Sequence, residues 1–128
     1  NGDGCLYDFT FSSIVPFSFT AVIWYQGESD ATYEEANVYA KELATLIKIW
    51  RRDLKDDKLP FVVVQLADID CEGVSREGWA RMQKAQLEVC DLCSDVQTVI
   101  CRDICETYDI HPPTKDKLAI RIADVLTK

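Results

Sequence analysis

A single histidine, His111, stands in the segment Tyr108-Asp109-Ile110-His111-Pro112-Pro113 of a chain of 128 residues. Only imidazole has an ordinary pKa near neutrality, about 6.5, so His111 is the side chain best suited to take up and return a proton. In an extended segment Asp109 and His111 point the same way, about 6.6 Å apart along the chain, which puts a carboxylate within reach of the imidazole. A second constellation is sulfur: Cys90-x2-Cys93 followed by Cys101-x3-Cys105 loosely imitates a four-thiolate zinc site. Against it, Cys90 and Cys93 fall toward the end of an amphipathic stretch and Cys101 ends an apolar one, where cysteine serves as a small hydrophobe. We expect buried or half-buried free thiols and no metal.

Three apolar runs and three amphipathic stretches must position these groups. Ala21–Tyr25 is apolar on both faces, the pattern of a parallel strand buried between helices, and it runs into the polar turn Gln26-Gly27-Glu28-Ser29-Asp30. Thr32 and Glu35 have capping-box spacing, and Ala36, Ala40, Leu43, Ile47 and Trp50 mark one helical face beyond them. Arg51 and Arg52 close that helix where cations oppose its dipole. Phe61–Leu66 predicts a second buried strand ending at Gln65, and a loop through Asp68, Asp70 and Gly73 leads to a helix over about Trp79–Cys90. Its apolar side is Trp79, Met82 and Val89, with Gln86 as a break. Val96–Cys101 predicts a third strand, Arg102–Pro113 the loop with the histidine, and Lys115–Leu126 a last helix. Such alternation predicts right-handed βαβ units, a parallel sheet, and polar groups collected on the rim beyond the strands' carboxyl ends. Asn1–Thr20 breaks the pattern and reads as irregular or short-turn structure packed on the sheet.

Composition narrows the partners. Fourteen Lys plus Arg against 22 Asp plus Glu leave a net charge of −8, which repels a phosphate backbone or an anionic membrane surface. We expect no nucleic acid and no membrane partner, since no apolar run approaches the roughly 20 residues of a membrane span. The first residue is Asn1 rather than methionine, which leaves processing and export open. Six cysteines permit three disulfides, but 48% hydrophobic residues supply a core that needs no such staples.

Four blocks, in this order, resemble the sialate O-acetylesterase family of SGNH hydrolases: Ile23-Trp24-Tyr25-Gln26-Gly27-Glu28-Ser29, Pro60-Phe61-Val62-Val63-Val64-Gln65-Leu66-Ala67, Trp79-Ala80-Arg81-Met82-Gln83-Lys84-Ala85-Gln86, and Asp109-Ile110-His111-Pro112 with Lys115 and Arg121 behind it. Leu6-Tyr7-Asp8 is similar to the Leu-Tyr-Asn that precedes the first block in those enzymes. The resemblance implies a three-layer parallel-sheet α/β fold of SGNH, flavodoxin-like type. It also implies hydrolysis of acetyl esters on a carbohydrate through a seryl acyl-enzyme, without a cofactor. In that scheme His111 is the general base, Gln26 and Gly27 serve the oxyanion, Gln65 lines the substrate pocket, and Asp109 or Glu28 orients the imidazole. SGNH enzymes carry the nucleophile in a Gly-Asp-Ser or Gly-Gln-Ser turn upstream of the Gln-Gly-Glu strand, and these residues contain no such turn. Asn1-Gly2-Asp3-Gly4 has the glycines without the serine, and Ser29 reads as a helix-start residue. The expectation is therefore an incomplete domain, lacking the first strands and the nucleophile, that self-associates or pairs with the missing N-terminal segment. A non-catalytic SGNH-like sugar-binding or interaction module is the competing reading.

Overall fold

Apolar runs and amphipathic helices alternate in the structure as β-α-β-α-β-α, behind a short helical leader. A computed structural model describes residues 4–127. The elements are α1 (Cys5–Phe9), a 3-10 turn at Phe11–Ser13, β1 (Val22–Trp24), α2 (Tyr33–Leu54), β2 (Phe61–Val64), α3 (Arg76–Leu92), β3 (Val96–Val99) and α4 (Asp116–Leu126). The strands form one parallel sheet in the order β1-β2-β3, with Val22 opposite Phe61 and Phe61 opposite Val96.

Three layers follow from the period-two alternation of β2. Phe61 and Val63 face α2 and α3, where Ala36, Ala40, Leu43, Ile47, Met82 and Val89 fill the larger core. Val62 and Val64 face the other way, toward Leu118 and Ile122 of α4. Thr32 caps α2 by accepting from the Glu35 N–H at 3.3 Å, and its hydroxyl donates to the Glu35 carboxylate at 2.8 Å. Ser75 caps α3 in the same way through the Gly78 N–H. A Cβ on Gly78 would stand 2.3 Å from the Ala31 carbonyl oxygen, so a bare backbone is required where α3 meets the turn before α2.

Several expectations are corrected. Each strand is shorter than its apolar run: the Gln65 N–H still donates to the Val99 carbonyl at 2.9 Å, and past it the Leu66 N–H, like the Gln26 carbonyl beyond β1, bonds to the Gln86 side chain of α3. β1 is not buried on both faces: Ile23 is 53% exposed, since α4 covers β2 and β3 and leaves that side of β1 bare. Helix α3 starts three residues earlier than the periodicity placed it. The leader packs on α2 rather than on the sheet, with Phe11 stacked on Trp50 at 4.3 Å and the Tyr7 hydroxyl donating to Asp53 at 2.5 Å. Asn1–Asp3, whose glycine-bearing run is expected to lack a nucleophile, lies outside the described residues.

Arg51, in the last turn of α2 where a cation opposes the dipole, is buried. Its guanidinium donates to the Leu59 carbonyl at 3.0 and 2.9 Å and to the Asp95 carbonyl at 3.1 Å, and it lies 5.6 Å from the centre of the Phe61 ring. The amino ends of β2 and β3 are thereby fastened to the last turn of α2. Five donors in a rigid fork suit this task better than a lysine would.

Candidate functional site

The carboxyl ends of three parallel strands open on one rim, which places the Gln26 turn, the Gln65 exit and the His111 loop on the same side of the sheet. Helix α3 builds most of that rim. Gln86, fully buried, donates to the Gln26 carbonyl at 3.0 Å and accepts from the Leu66 N–H at 2.8 Å, joining the exits of β1 and β2 where the ladder has ended. Gln83 donates to the Leu66 and Ala67 carbonyls and to the Asp68 carboxylate at 3.0–3.1 Å, and the Trp79 indole donates to the Ala67 carbonyl at 2.7 Å. A polar residue inside a helix's apolar stripe is costly unless every group is bonded. The break at Gln86 was visible in the sequence, and its two strand-end partners explain it.

The Gln26 side chain is held on both sides. Its Nε2 donates to Asp30 at 2.7 Å, and the Tyr39 hydroxyl, which accepts from the Trp24 indole at 3.0 Å, faces the Gln26 carbonyl at 3.0 Å and Oε1 at 3.2 Å. Burial pushes the Tyr39 phenol up, so it remains a protonated donor at neutral pH. One N–H of the Gln26 amide has no partner among the described residues. Gly27 follows at φ +144°, and a Cβ there would meet Gln86 Nε2 at 2.9 Å and Met82 Sδ at 3.3 Å. Both the backbone angle and the space require glycine. Sequence reasoning missed Asp30 and Tyr39 as supports of this turn; a tyrosine on the apolar face of α2 carries no mark of its destination.

His111 is exposed on a loop bent at Ile110 and His111. Asp109 accepts from the His111 backbone N–H at 2.8 Å, an Asx-type turn, so its carboxylate serves the backbone where an extended segment would have aimed it at the ring. The loop is closed by Glu106, which accepts from the Thr114 N–H at 3.2 Å and from the Thr114 hydroxyl; that hydroxyl contact holds the Glu106 carboxyl below the usual range. Behind the loop, Lys115 donates to the Tyr25 hydroxyl at 3.2 Å with its ammonium 4.5 Å from the ring centre. Tyr25 directly precedes Gln26, so this contact links the two halves of the rim.

The other expected residues are equally plain. Glu28 is half-buried beside Gln26, with no side-chain hydrogen bond among the described residues. Ser29 is exposed in the turn, three residues ahead of the Thr32 cap where α2 begins. Gln65 is 3% exposed; its amide donates to the Gln83 carbonyl at 3.0 Å, and its Oε1 has no partner among the described residues. All six cysteines are free thiols. Cys90, Cys93, Cys101 and Cys105 lie against Thr98, Ala44, Gln65 and Thr114 in turn, and among the described residues no group of three or more His, Cys, Asp or Glu is assembled to hold a metal ion. Burial, then the neighbouring Cys105, push the Cys101 thiol up to about 12. Among the described residues no helix is long and apolar enough to cross a membrane.

The family model for carbohydrate esterase, sialic acid-specific acetylesterase, matches residues 10–127. The chain belongs to this carbohydrate esterase family. Among solved structures, the chain is similar to a novel carbohydrate acetylesterase from Xanthomonas citri, at 34% identity and a TM-score of 0.78, over 86% of this chain and 26% of that one. A protein from Arabidopsis thaliana matches at 25% identity and a TM-score of 0.74, over 96% of this chain and 52% of that one. The chain thus spans about a quarter and about half of the lengths of these two structures. No curated protein matches it. The three-layer α/β architecture of this chain is of the SGNH type.

Proposed function

We propose that this chain supplies the base and oxyanion groups of a carbohydrate O-acetylesterase that works through a seryl acyl-enzyme. The observation that carries the reading is the shared rim: the Gln26–Gly27 turn and the His111 loop leave the carboxyl ends of β1 and β3, on either side of β2 in one parallel sheet, and are linked through Tyr25 and Lys115. In the first step His111 takes the proton of a serine hydroxyl as that oxygen attacks the acetyl carbonyl. The negative charge that develops on the carbonyl oxygen is met by the free N–H of the Gln26 amide and by the Gly27 N–H. The imidazolium then protonates the departing sugar oxygen, and a water activated by the same imidazole releases acetate. Glu28, whose carboxylate has no other partner among the described residues, is the acid we assign to the imidazolium; Asp109 shapes the loop backbone. Gln65 supports the β2 exit that floors the pocket.

By the family resemblance the serine belongs to chain outside these 128 residues. β1 is an edge strand of the sheet, with no partner strand on its outer side among the described residues, and this free edge supports pairing of that strand with the segment that brings the serine. The 128 residues alone should release no acetate.

The test is acetate release from acetylated sugars by a longer protein containing this sequence. His111→Ala should lower kcat by about 10²–10⁴-fold, and Gln26→Ala by about 10²–10³-fold. Glu28→Gln should cost more than Asp109→Asn. Full activity in His111→Ala, or failure of a fluorophosphonate to label any serine, would reject the mechanism.

A further inference from the structure

The exit of β2 borders a cleft of about 410 Å³ whose polar walls are two ion pairs: Arg102 to Asp68 and Arg76 to Asp70, each at 2.6 Å. Ile69 and Trp79 supply its apolar lining, and Thr107 closes it on the side of the His111 loop. The two loops are joined there, since the Asp70 N–H donates to the Thr107 carbonyl at 2.7 Å and the Cys71 thiol to the Tyr108 carbonyl at 3.0 Å. Tyr108, next to Thr107, is 71% exposed and its side chain makes no hydrogen bond among the described residues. We propose that this cleft is a subsite for the hydroxyls of an uncharged sugar, with Tyr108 as the aromatic face at its border.

The chemistry favours that class of ligand. Sugar hydroxyls are donors and acceptors at once, and a carboxylate beside a guanidinium offers both in planar, two-pronged form. Aromatic faces complement the apolar C–H side of a pyranose ring. A sugar carboxylate is disfavoured because each guanidinium of the cleft already has its anion. Asp68 is held by Gln83 as well as Arg102; burial opposes its charge, and these two bonds outweigh burial and keep its carboxyl below the usual range. An anionic ligand would have to displace Asp68 or Asp70 in a chain of net charge −8. The subsite deepens the esterase reading and rests on it, and it selects neutral acetylated glycans over sialosides.

The experiment is a titration of the isotope-labelled chain, followed by amide resonances, with the methyl pyranosides of glucose, galactose, mannose and xylose and with the methyl α-glycoside of N-acetylneuraminic acid. At least one neutral pyranoside should shift the amides of Asp68–Asp70, Arg102 and Thr107–Tyr108, and the sialoside should bind about tenfold more weakly or worse. Arg76→Gln and Tyr108→Ala, both at exposed positions that leave the core intact, should each weaken that binding by about five- to tenfold. Tighter binding of the sialoside, silence of these amides toward every pyranoside, or parental affinity in both variants overturns the proposal. The readout is independent of turnover. An active esterase with a silent cleft rejects the subsite alone, and a responsive cleft in an inactive longer protein rejects the esterase reading alone.

Discussion

Lys115 and Tyr25, 90 positions apart, meet through an N–H···O bond of 3.2 Å and an ammonium 4.5 Å from the ring centre. The contact sets the root of the His111 loop against the end of β1. Burial, with nearby thiols and Glu28 adding to it, pushes the Tyr25 phenol well above its ordinary value, so the hydroxyl stays neutral and can accept from the ammonium at any working pH. A cation over a half-buried ring contributes about 1 kcal/mol. Lys115→Met should therefore leave global stability nearly unchanged while speeding amide hydrogen exchange over residues 104–114. Unchanged exchange there would mean that the loop is held by Glu106 and Thr114 alone.

Gln86 is the costliest polar group on the rim to remove. Gln86→Leu strips the Gln26 carbonyl and the Leu66 N–H of their buried partner, a loss of about 2–4 kcal/mol in urea unfolding. Gly27→Ala should cost about 1–3 kcal/mol through the left-handed angle and the approach to Gln86 Nε2. Because the two changes strain the same contact, the double variant should fall short of the sum. Strict additivity would count against a shared strut.

The thiols should separate into two classes. Cys101, with its pKa near 12 and its Sγ donating to the Gln65 carbonyl at 2.9 Å, and Cys93, buried against α2, should resist iodoacetamide at pH 8 in the folded chain and react once it is unfolded. Cys5, Cys71, Cys90 and Cys105 are partly accessible and should react first. Rapid native labelling of Cys101, mapped by mass spectrometry, would contradict the described packing.

Acid should weaken the tie between α4 and the exit of β3. Arg121 holds Asp103 through two bonds of 2.7 and 2.5 Å and lowers its carboxyl to about 2. A carboxyl depressed in the folded state adds stability above its unfolded pKa, about 4, and loses that contribution as pH falls through the folded value. The stability gap between the parent and Arg121→Gln should thus be constant from pH 5 to 7 and shrink between about pH 4 and 2. A gap that persists at pH 2 would assign Arg121's role to its bond with the Ile100 carbonyl instead.

The order of strands and helices was legible because period-two and period-3.6 patterns are local, and the Gln26 and His111 segments could be put on one rim from topology alone. Three features were not. The exposure of Ile23 depends on which neighbour covers β1, and an apolar run looks the same with or without one. Asp109 turns to its own backbone because a two-residue Asx turn competes with the extended form that would aim it at the ring. The cleft's guanidiniums come from the start of α3 and the exit of β3, so Arg76 and Arg102 share no spacing with Asp68 and Asp70 that a reader of the chain would single out.

Arg51 gives the molecule a division of labour. By tying Leu59 and Asp95 at the entry side of the sheet, it anchors the scaffold at the pole opposite to the rim at the strands' carboxyl ends. With the proposed subsite at the Asp68 and Asp70 cleft, substitutions there would retune which glycan is accepted while the hub that secures the strands stays untouched, so specificity and foldability would drift independently.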